Sequence, residues 1–421
     1  MNARKIVVIA ALSFAAGLMC PVGAYAMNQG VNIDPSQTDG GTPPAANQIT
    51  TNNGNGGQHY VNMNALATSM AVPTLVVFLG GSQSAPSAYQ HFIDNAANRG
   101  FSALSLAYPN NAEIAGVYGC NPNSYSAATQ DACLTQTRGT TAFGQTHMVS
   151  GAPVGPNTYA GGPYDDSGYV TGNQSSGGNS PVSQGDSIMN RLICLIDYLQ
   201  YNGPTVVDGN VNPNYWSHFL ITDSSSPYTR PHSDAAHIDY ATHVRVDWSR
   251  IVLAGHSQGA AEAAFMAMRL PNAVKRVFLL SGPQDFYSTN SVRTSATWIT
   301  TTPVATSLSA FWGLRNAAEG DADEGAYGDF VTTNWIYLGS GTSTSYGLGG
   351  NGLSEGNAGD GSTVPLGSTQ RYKLTAPSGG NHTALFNHNR DAVDSYLYNS
   401  GSFLMPVFPI FMIWNHMLGM P

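Results

Sequence analysis

The fold is decided by one stretch of the sequence, Ile251-Val252-Leu253-Ala254-Gly255-His256-Ser257-Gln258-Gly259-Ala260. Its apolar first half predicts a buried strand at residues 250–254, and the alanine-rich residues 260–269 predict a helix. The G-x-S-x-G sequence between them predicts a sharp strand-to-helix turn that lifts the serine hydroxyl above a sheet. Gly255 and Gly259 flank the serine because a Cβ at either position would clash with the neighbouring strand or helix. We therefore predict that Ser257 is a nucleophile; the alternative is a Gly-Ser turn without a chemical role.

A serine hydroxyl attacks poorly unless a histidine accepts its proton and a carboxylate orients that histidine. After a turn of this kind the acid comes next along the chain and the histidine comes last. His382 lies in a polar loop after the last predicted strand and is the favoured base, with His388 as the second candidate. The histidines before Ser257 come too early in the chain, and His256 belongs to the turn itself.

The carboxylate should follow a strand between the serine and the histidine. Glu319 comes soon after a predicted strand at residues 309–314 and is the favoured acid. Asp321 and Asp323 follow it closely, and Asp285 follows the preceding strand. Position along the chain leaves these alternatives open.

Acyl transfer also requires two backbone N–H groups directed at the developing oxyanion. One is predicted at Gln258, the first residue of the helix after the nucleophile. The other is predicted at Ser82, in the turn Gly81-Ser82-Gln83 that follows an apolar strand at residues 73–79. The same residues would also suit an ordinary glycine turn.

The pattern around this turn is strand, helix, strand. The apolar run at 73–79 is typical of a strand buried on both faces. A helix at 88–99 and a strand at 101–107 complete a βαβ unit, so we predict a parallel sheet. Later elements are predicted as follows: a helix at 186–201, strands at 275–281, 309–314 and 370–374, and a closing helix at 390–398.

The first residues of the chain predict export. Arg4 and Lys5 precede an apolar run, and Ala24-Tyr25-Ala26 resembles a cleavage site, so residues 1–26 are predicted to be a signal peptide. The protein is then secreted or periplasmic. A lipoprotein, with Cys20 as the modified residue, is the weaker alternative because Met19 stands where a small residue is expected.

We expect one catalytic domain at residues 71–421. Residues 27–70 are rich in Asn, Gly and Thr and predict a flexible lead-in. Two irregular stretches, at about 109–185 and 203–245, predict long loop insertions.

Three cysteines remain beyond the predicted signal peptide. Cys120 and Cys133 flank a polar loop, and an oxidising compartment would allow them to form a disulfide. Cys194 lies in an apolar helical stretch, which predicts a buried free thiol.

Composition excludes some classes of function. Charged residues make up only 10% of the chain and the net charge is -9, so a basic face for nucleic acid is not expected. The apolar tail at 403–420 is short and interrupted by Pro406 and Pro409, so no integral membrane span is expected. The tail should instead pack on the core or on a partner.

The sequence does not favour a metal site. The acidic and imidazole side chains that suit Zn²⁺ cluster in one predicted insertion, at His232, Asp234, His237, Asp239 and His243. Their spacing is loose, so a polar loop is the preferred interpretation. The acidic run 321–329 lacks a complete EF-hand loop. We expect neither a metal nor a cofactor.

These motifs together resemble the α/β-hydrolase superfamily, and more loosely a sparsely characterised subgroup of secreted microbial serine esterases. The resemblance is carried by residues 246–259, by 279–285 and by Asn381-His382-Thr383. It implies a mostly parallel central sheet flanked by helices, and a triad whose acid falls on Glu319. The sequence departs from the family in Gly80-Gly81, where His-Gly is usual, and in a glutamate where aspartate is commoner.

The resemblance implies hydrolysis of a carboxylic ester, small or polymeric, through an acyl-enzyme. An amidase or peptidase, or a lipase or polyester depolymerase, would use the same triad. An exported binding protein on an inactive hydrolase scaffold is the alternative of another class.

Overall fold

The structure of the chain is a computed structural model. It describes residues 30–40, 48–49, 57–63, 67, 71–110, 114, 120, 126–144, 182–202, 215–232, 240–289, 292–316, 328–339, 356–359, 371–374, 414 and 417–418. The predicted signal peptide and the predicted closing helix at 390–398 lie outside these residues.

The strands of the described residues are β1 Val31–Ile33, β2 His59–Met63, β3 Leu75–Leu79, β4 Ser102–Leu106, β5 Leu220–Thr222, β6 Val244–Val246, β7 Ile251–His256, β8 Arg276–Leu280, β9 Phe286–Thr289, β10 Val292–Ser295, β11 Phe311–Asn316, β12 Gly356–Gly359 and β13 Arg371–Leu374. The α-helices are α1 Gln90–Asn98, α2 Ala127–Phe143, α3 Ile188–Asn202, α4 Gln258–Arg269, α5 Thr297–Thr300 and α6 Gly328–Tyr337. The predicted strands and helices of the core are therefore confirmed within a few residues at each end.

Nine strands form one central sheet in the order β1-β2-β4-β3-β7-β8-β11-β13-β12. Along this order, every pair of neighbouring strands from β4 through to β12 is parallel. The β1–β2 and β2–β4 pairs are antiparallel. Two small antiparallel pairs, β5–β6 and β9–β10, lie outside this sheet. The predicted α/β class with a mostly parallel sheet is confirmed.

The central strands are buried on both faces, as their uninterrupted apolar sequences predict. In β3 every residue is buried, and alternate side chains enter different clusters. Leu75 and Val77 pack with α2, α3 and α4, whereas Val76 and Phe78 pack with α1. Helices therefore cover the sheet on both faces.

The segment predicted as a flexible lead-in contains part of the sheet. Val31–Ile33 pairs with His59–Met63, which in turn pairs with β4. The prediction of flexibility is wrong for these two strands. They were missed because their alternation of apolar and polar residues is short and is surrounded by Asn and Gly.

The predicted loop insertion at about 109–185 contains helix α2, which the sequence did not suggest. Its polar run Thr135-Gln136-Thr137-Arg138 shows no clear apolar stripe, yet Thr135, Gln136 and Arg138 are buried. Cys133 on this helix forms a disulfide with Cys120, so that predicted pairing is confirmed. Cys194 on α3 is a buried free thiol, also as predicted.

The described residues of the C-terminal tail pack on the core, as expected. Trp414 is fully buried, and its ring lies 5.1 Å from that of Phe92 on α1. Arg276 of β8 donates to the carbonyl of Met417. None of the helices in the described ranges has the length and apolar character needed to cross a bilayer.

Candidate active site

Ser257 lies between β7 and α4 in a strained backbone conformation. Its φ is 53° and its ψ is -118°, values that a residue with a side chain rarely adopts. Hydrogen bonds on both sides of the residue stabilise this conformation. The Ser257 N–H donates to the Leu280 carbonyl of β8, and the Ser257 carbonyl accepts from the N–H groups of Ala260 and Ala261. The predicted sharp turn is therefore present, with a half-buried serine at its tip.

The two glycines of the turn are required by close approach. A Cβ added at Gly255 would lie 2.2 Å from the Gly259 carbonyl oxygen. A Cβ added at Gly259 would lie 2.0 Å from the carbonyl oxygen of Leu79, at the end of β3. Both distances are far below van der Waals contact. The first turn of α4 can therefore pack against β3 and β7 only with glycine at these two positions.

The turn also occupies the place in the sheet where a parallel α/β fold usually binds its ligand. After β3 the chain crosses to β4 on one side, whereas after β7, which lies on the other side of β3, it crosses to β8, farther from β3. The connections from these neighbouring strands therefore leave in opposite directions, which opens a crevice at their carboxyl ends. Gly81 follows β3 and Ser257 follows β7, so both lie at this crevice.

The loop after β3 approaches the nucleophile directly. A Cβ added at Gly81 would lie 3.2 Å from the Cβ of Ser257. The next residue, Ser82, donates from its hydroxyl to the Gln258 side chain, with Oγ 2.6 Å from Oε1. The main-chain N–H groups of Ser82 and Gln258 have no acceptor among the described residues. The two residues predicted to form the oxyanion hole thus lie side by side next to Ser257.

His256 directs its ring toward a different neighbour. Its Nδ1 is 3.4 Å from the hydroxyl of Tyr89, in the buried layer beneath the turn. Burial raises the pKa of Tyr89 to about 12, so this hydroxyl stays protonated at neutral pH. His256 therefore has a structural partner in Tyr89.

His382 and Glu319 lie outside the described residues, as do His388, Asp321 and Asp323. The strands that precede the favoured pair are described: β11 leads toward Glu319 and β13 leads toward His382. These strands are parallel neighbours, and both run parallel to β7. The carboxyl ends of β11 and β13 therefore lie on the same side of the sheet as Ser257, at the end of β7.

Asp285, the remaining candidate for the acid, is buried and accepts hydrogen bonds from two side chains. Its Oδ1 accepts from Arg138 Nη2 at 2.7 Å. Its Oδ2 accepts from Arg138 Nε at 3.0 Å and from Trp298 Nε1 at 2.9 Å. These contacts use both oxygens of Asp285 and anchor α2 to the core.

Arg138 connects this anchor to the helix of the nucleophile. Its Nη1 donates to Glu262 Oε1 at 2.8 Å and to the Gln258 carbonyl at 3.2 Å. Burial raises the pKa of Glu262 to about 7, an effect that the charge of Arg138 opposes. The sequence offered no sign of this cluster, because its members come from α2, α4 and the loop after β8.

Of the histidine cluster that could suit a metal, His232 and His243 lie in the described residues. His232 Nδ1 is 2.7 Å from Asp197 Oδ2, and His243 Nδ1 is 2.6 Å from the Ser226 carbonyl. Within the described ranges no three His, Cys, Asp or Glu side chains are grouped so as to hold a metal ion.

Comparisons with known proteins add little to this picture. No protein-family model matches the chain, and no curated protein matches it. Among solved structures, a Klebsiella pneumoniae protein assigned as a dienelactone hydrolase is similar over 79% of this chain and 84% of its own, at 10% identity and a TM-score of 0.30. A similarity this low carries no argument about activity. The strand order and the strained serine between β7 and α4 are those of the predicted α/β-hydrolase fold.

Proposed function

We propose that the protein is a secreted serine hydrolase that cleaves carboxylic esters through an acyl-enzyme. One observation carries the proposal: Ser257 sits at φ 53° on a strand-to-helix turn, at the crevice where the connections of neighbouring strands leave in opposite directions. A conformation with this energetic cost is kept where a side chain must be presented in a special way.

In the proposed mechanism Ser257 attacks the ester carbonyl while His382 accepts its proton. Glu319 orients the imidazole and stabilises its charged form. The N–H groups of Ser82 and Gln258 donate to the oxyanion of the tetrahedral intermediate. The Gln258 N–H is at the first turn of a 12-residue helix, where the helix dipole also favours negative charge. His382 then protonates the leaving alcohol, and water hydrolyses the acyl-enzyme by the same route.

Export is part of the proposal. It is supported by the signal-like residues 1–26 and by the disulfide between Cys120 and Cys133, which forms in oxidising compartments. When the full chain is expressed with an export system, the N-terminus of the secreted product should begin near Met27. A product that keeps residues 1–26 in the cytoplasm would contradict this part.

Labelling with a fluorophosphonate probe tests the central claim. The wild-type protein should be labelled and should hydrolyse short p-nitrophenyl esters, whereas Ser257→Ala should do neither. Ser249→Ala is the matched control, because this exposed serine lies before the opposite end of the same strand. If the wild type is neither labelled nor active, or if Ser257→Ala keeps its activity, the proposal is wrong.

The triad partners need their own variants. We expect His382→Ala and Glu319→Gln to lower kcat strongly, by about 10³-fold or more for the histidine. His388→Ala, Asp321→Asn and Asp323→Asn should stay close to wild type. A reversal between members of these two sets would reassign the base or the acid.

A panel of substrates separates the alternatives for the same triad. Short esters, long-chain esters, an insoluble polyester and anilides should be compared under one set of conditions. Preference for short esters supports the proposed class. Faster cleavage of long-chain esters or polyester would favour a lipase or depolymerase, and cleavage of anilides would favour an amidase or peptidase.

A further inference from the structure

The loop after β3 is held by a network of hydrogen bonds centred on Gly81. The Gly81 N–H donates to the Tyr89 hydroxyl at 2.7 Å. The Gly81 carbonyl accepts from Ser84 Oγ at 2.6 Å, and Ser84 Oγ is 2.8 Å from the Tyr89 hydroxyl. Because the single proton of Ser84 is used at the carbonyl, Tyr89 must donate to Ser84. The three residues thus form a closed ring in which each bond strengthens the next.

Asn110 adds a donor to the same carbonyl from outside the loop. Its Nδ2 lies 2.6 Å from the Gly81 carbonyl oxygen and 3.0 Å from that of Ser84. The backbone carbonyl of Asn110 accepts the N–H of Gln83 at 2.8 Å. Asn110 is 2% exposed, so its amide is confined to this position.

The orientation of the Ser82 N–H follows from these contacts. The Gly81–Ser82 peptide is trans, and in a trans peptide the carbonyl and the N–H point in opposite directions. Since the Gly81 carbonyl is directed at Asn110 and Ser84, the Ser82 N–H is directed away from them. Among the described residues this N–H has no acceptor, while Gly81 uses its own N–H on Tyr89.

We propose that Asn110 is a positioning residue for the oxyanion hole, whose amide holds the Gly81 carbonyl and thereby directs the Ser82 N–H at the substrate. The inference rests on the proposed hydrolase function. Asn110 does not touch the substrate in this scheme. It excludes the flipped peptide, in which the Gly81 carbonyl would face the developing negative charge.

Kinetics of Asn110→Ala and Asn110→Asp test the proposal on an ester substrate. A donor that acts only on the oxyanion contributes in the transition state, so kcat should fall by about 10- to 100-fold with KM within about threefold. Asn110→Asp should be the weaker enzyme, because a carboxylate oxygen repels the Gly81 carbonyl. The inhibition constant of an alkyl boronic acid, which forms an anionic tetrahedral adduct on serine, should rise by the same factor as kcat/KM falls.

Asn190→Ala is the matched control. Asn190 is also buried, and its amide donates to the Gly185 carbonyl at 2.9 Å, on α3 and away from the loop. It should lose a similar amount of thermal stability while kcat changes by less than about twofold. Equal losses of kcat in the Asn190 and Asn110 variants would mean that Asn110 acts only on stability, which would overturn the proposal.

Ser84→Ala keeps the test decisive if the Asn110 variants fail to fold. It removes the other side-chain donor to the Gly81 carbonyl and should lower kcat and boronic acid affinity together. Unchanged values for a folded Asn110→Ala, or for a folded Ser84→Ala where the Asn110 variants do not fold, would overturn the inference, while a labelled, active wild type would leave the hydrolase proposal intact. An unlabelled, inactive wild type would instead overturn the hydrolase proposal, and the inference with it.

Discussion

The hydroxyl of Ser82 donates a hydrogen bond to the side-chain carbonyl of Gln258, with 2.6 Å between the oxygens, although 176 residues separate the two in sequence. The same Gln258 oxygen accepts from the N–H of Ile114 at 3.3 Å. Three separate segments therefore meet beside the nucleophile. The contact ties together the two residues whose backbone N–H groups we propose as oxyanion donors.

Replacing Ser82 by alanine should reduce activity only modestly. The backbone N–H remains, and the loss is one neutral hydrogen bond, which contributes about 0.5–1.5 kcal/mol. We expect kcat to fall by about tenfold or less, measured with a p-nitrophenyl ester. A loss as large as that of Ser257→Ala would show that the hydroxyl itself takes part in catalysis.

The glycines of the turn should not tolerate a side chain. Gly255→Ala and Gly259→Ala place a Cβ within 2.2 Å and 2.0 Å of backbone oxygens, so either must displace α4 from the sheet. We expect each to lower the unfolding free energy by about 1–3 kcal/mol or more in urea denaturation, with loss of labelling. Ser257→Ala controls for activity and should stay as stable as wild type within about 1 kcal/mol. If Gly255→Ala and Gly259→Ala are as stable as wild type, the close backbone approach at these two positions is wrong.

Removing Arg138 should destabilise the fold strongly. Arg138→Ala leaves Asp285 and Glu262 buried without their cation. Breaking a buried ion pair by removing one partner costs about 3–5 kcal/mol, and we expect the unfolding free energy in urea to fall by a similar amount. Arg250→Ala breaks the partly exposed pair with Asp247 and serves as the control, with a loss of about 1 kcal/mol or less. Similar losses for the two variants would show that the buried cluster contributes little.

Glu262 should make stability depend on pH. Its pKa is raised from 4.5 to about 7 in the folded protein, so the folded state binds this proton more tightly than the unfolded state. Stability from this group is therefore lost as the pH rises from about 4.5 to 7, by a few kcal/mol at most. Relative to wild type, Glu262→Gln should become progressively more stable over that interval in urea unfolding at several pH values. Parallel curves for the two proteins would contradict the raised pKa.

Much of the core was predictable because its signals are local. A run of apolar residues between glycines marks β3 and β7, and the G-x-S-x-G spacing marks the turn between β7 and α4. Helix α2 was not predictable, since Arg138 is buried there only because it forms ion pairs with Asp285 and Glu262. Likewise the contacts of Asp285 with Arg138 and Trp298 could not be predicted from the sequence, because they join separate elements of the fold.

The sequence by itself determined that Ser257 belongs to a strand, turn and helix, because such short-range geometry depends on residue types a few positions apart. Tertiary structure decided what surrounds that serine. The approach of Gly81, the bond from Ser82 to Gln258 and the amide of Asn110 at the Gly81 carbonyl all join residues far apart in the chain. Which N–H remains without an acceptor depends on where every nearby carbonyl is directed, and no local pattern of residue types records that.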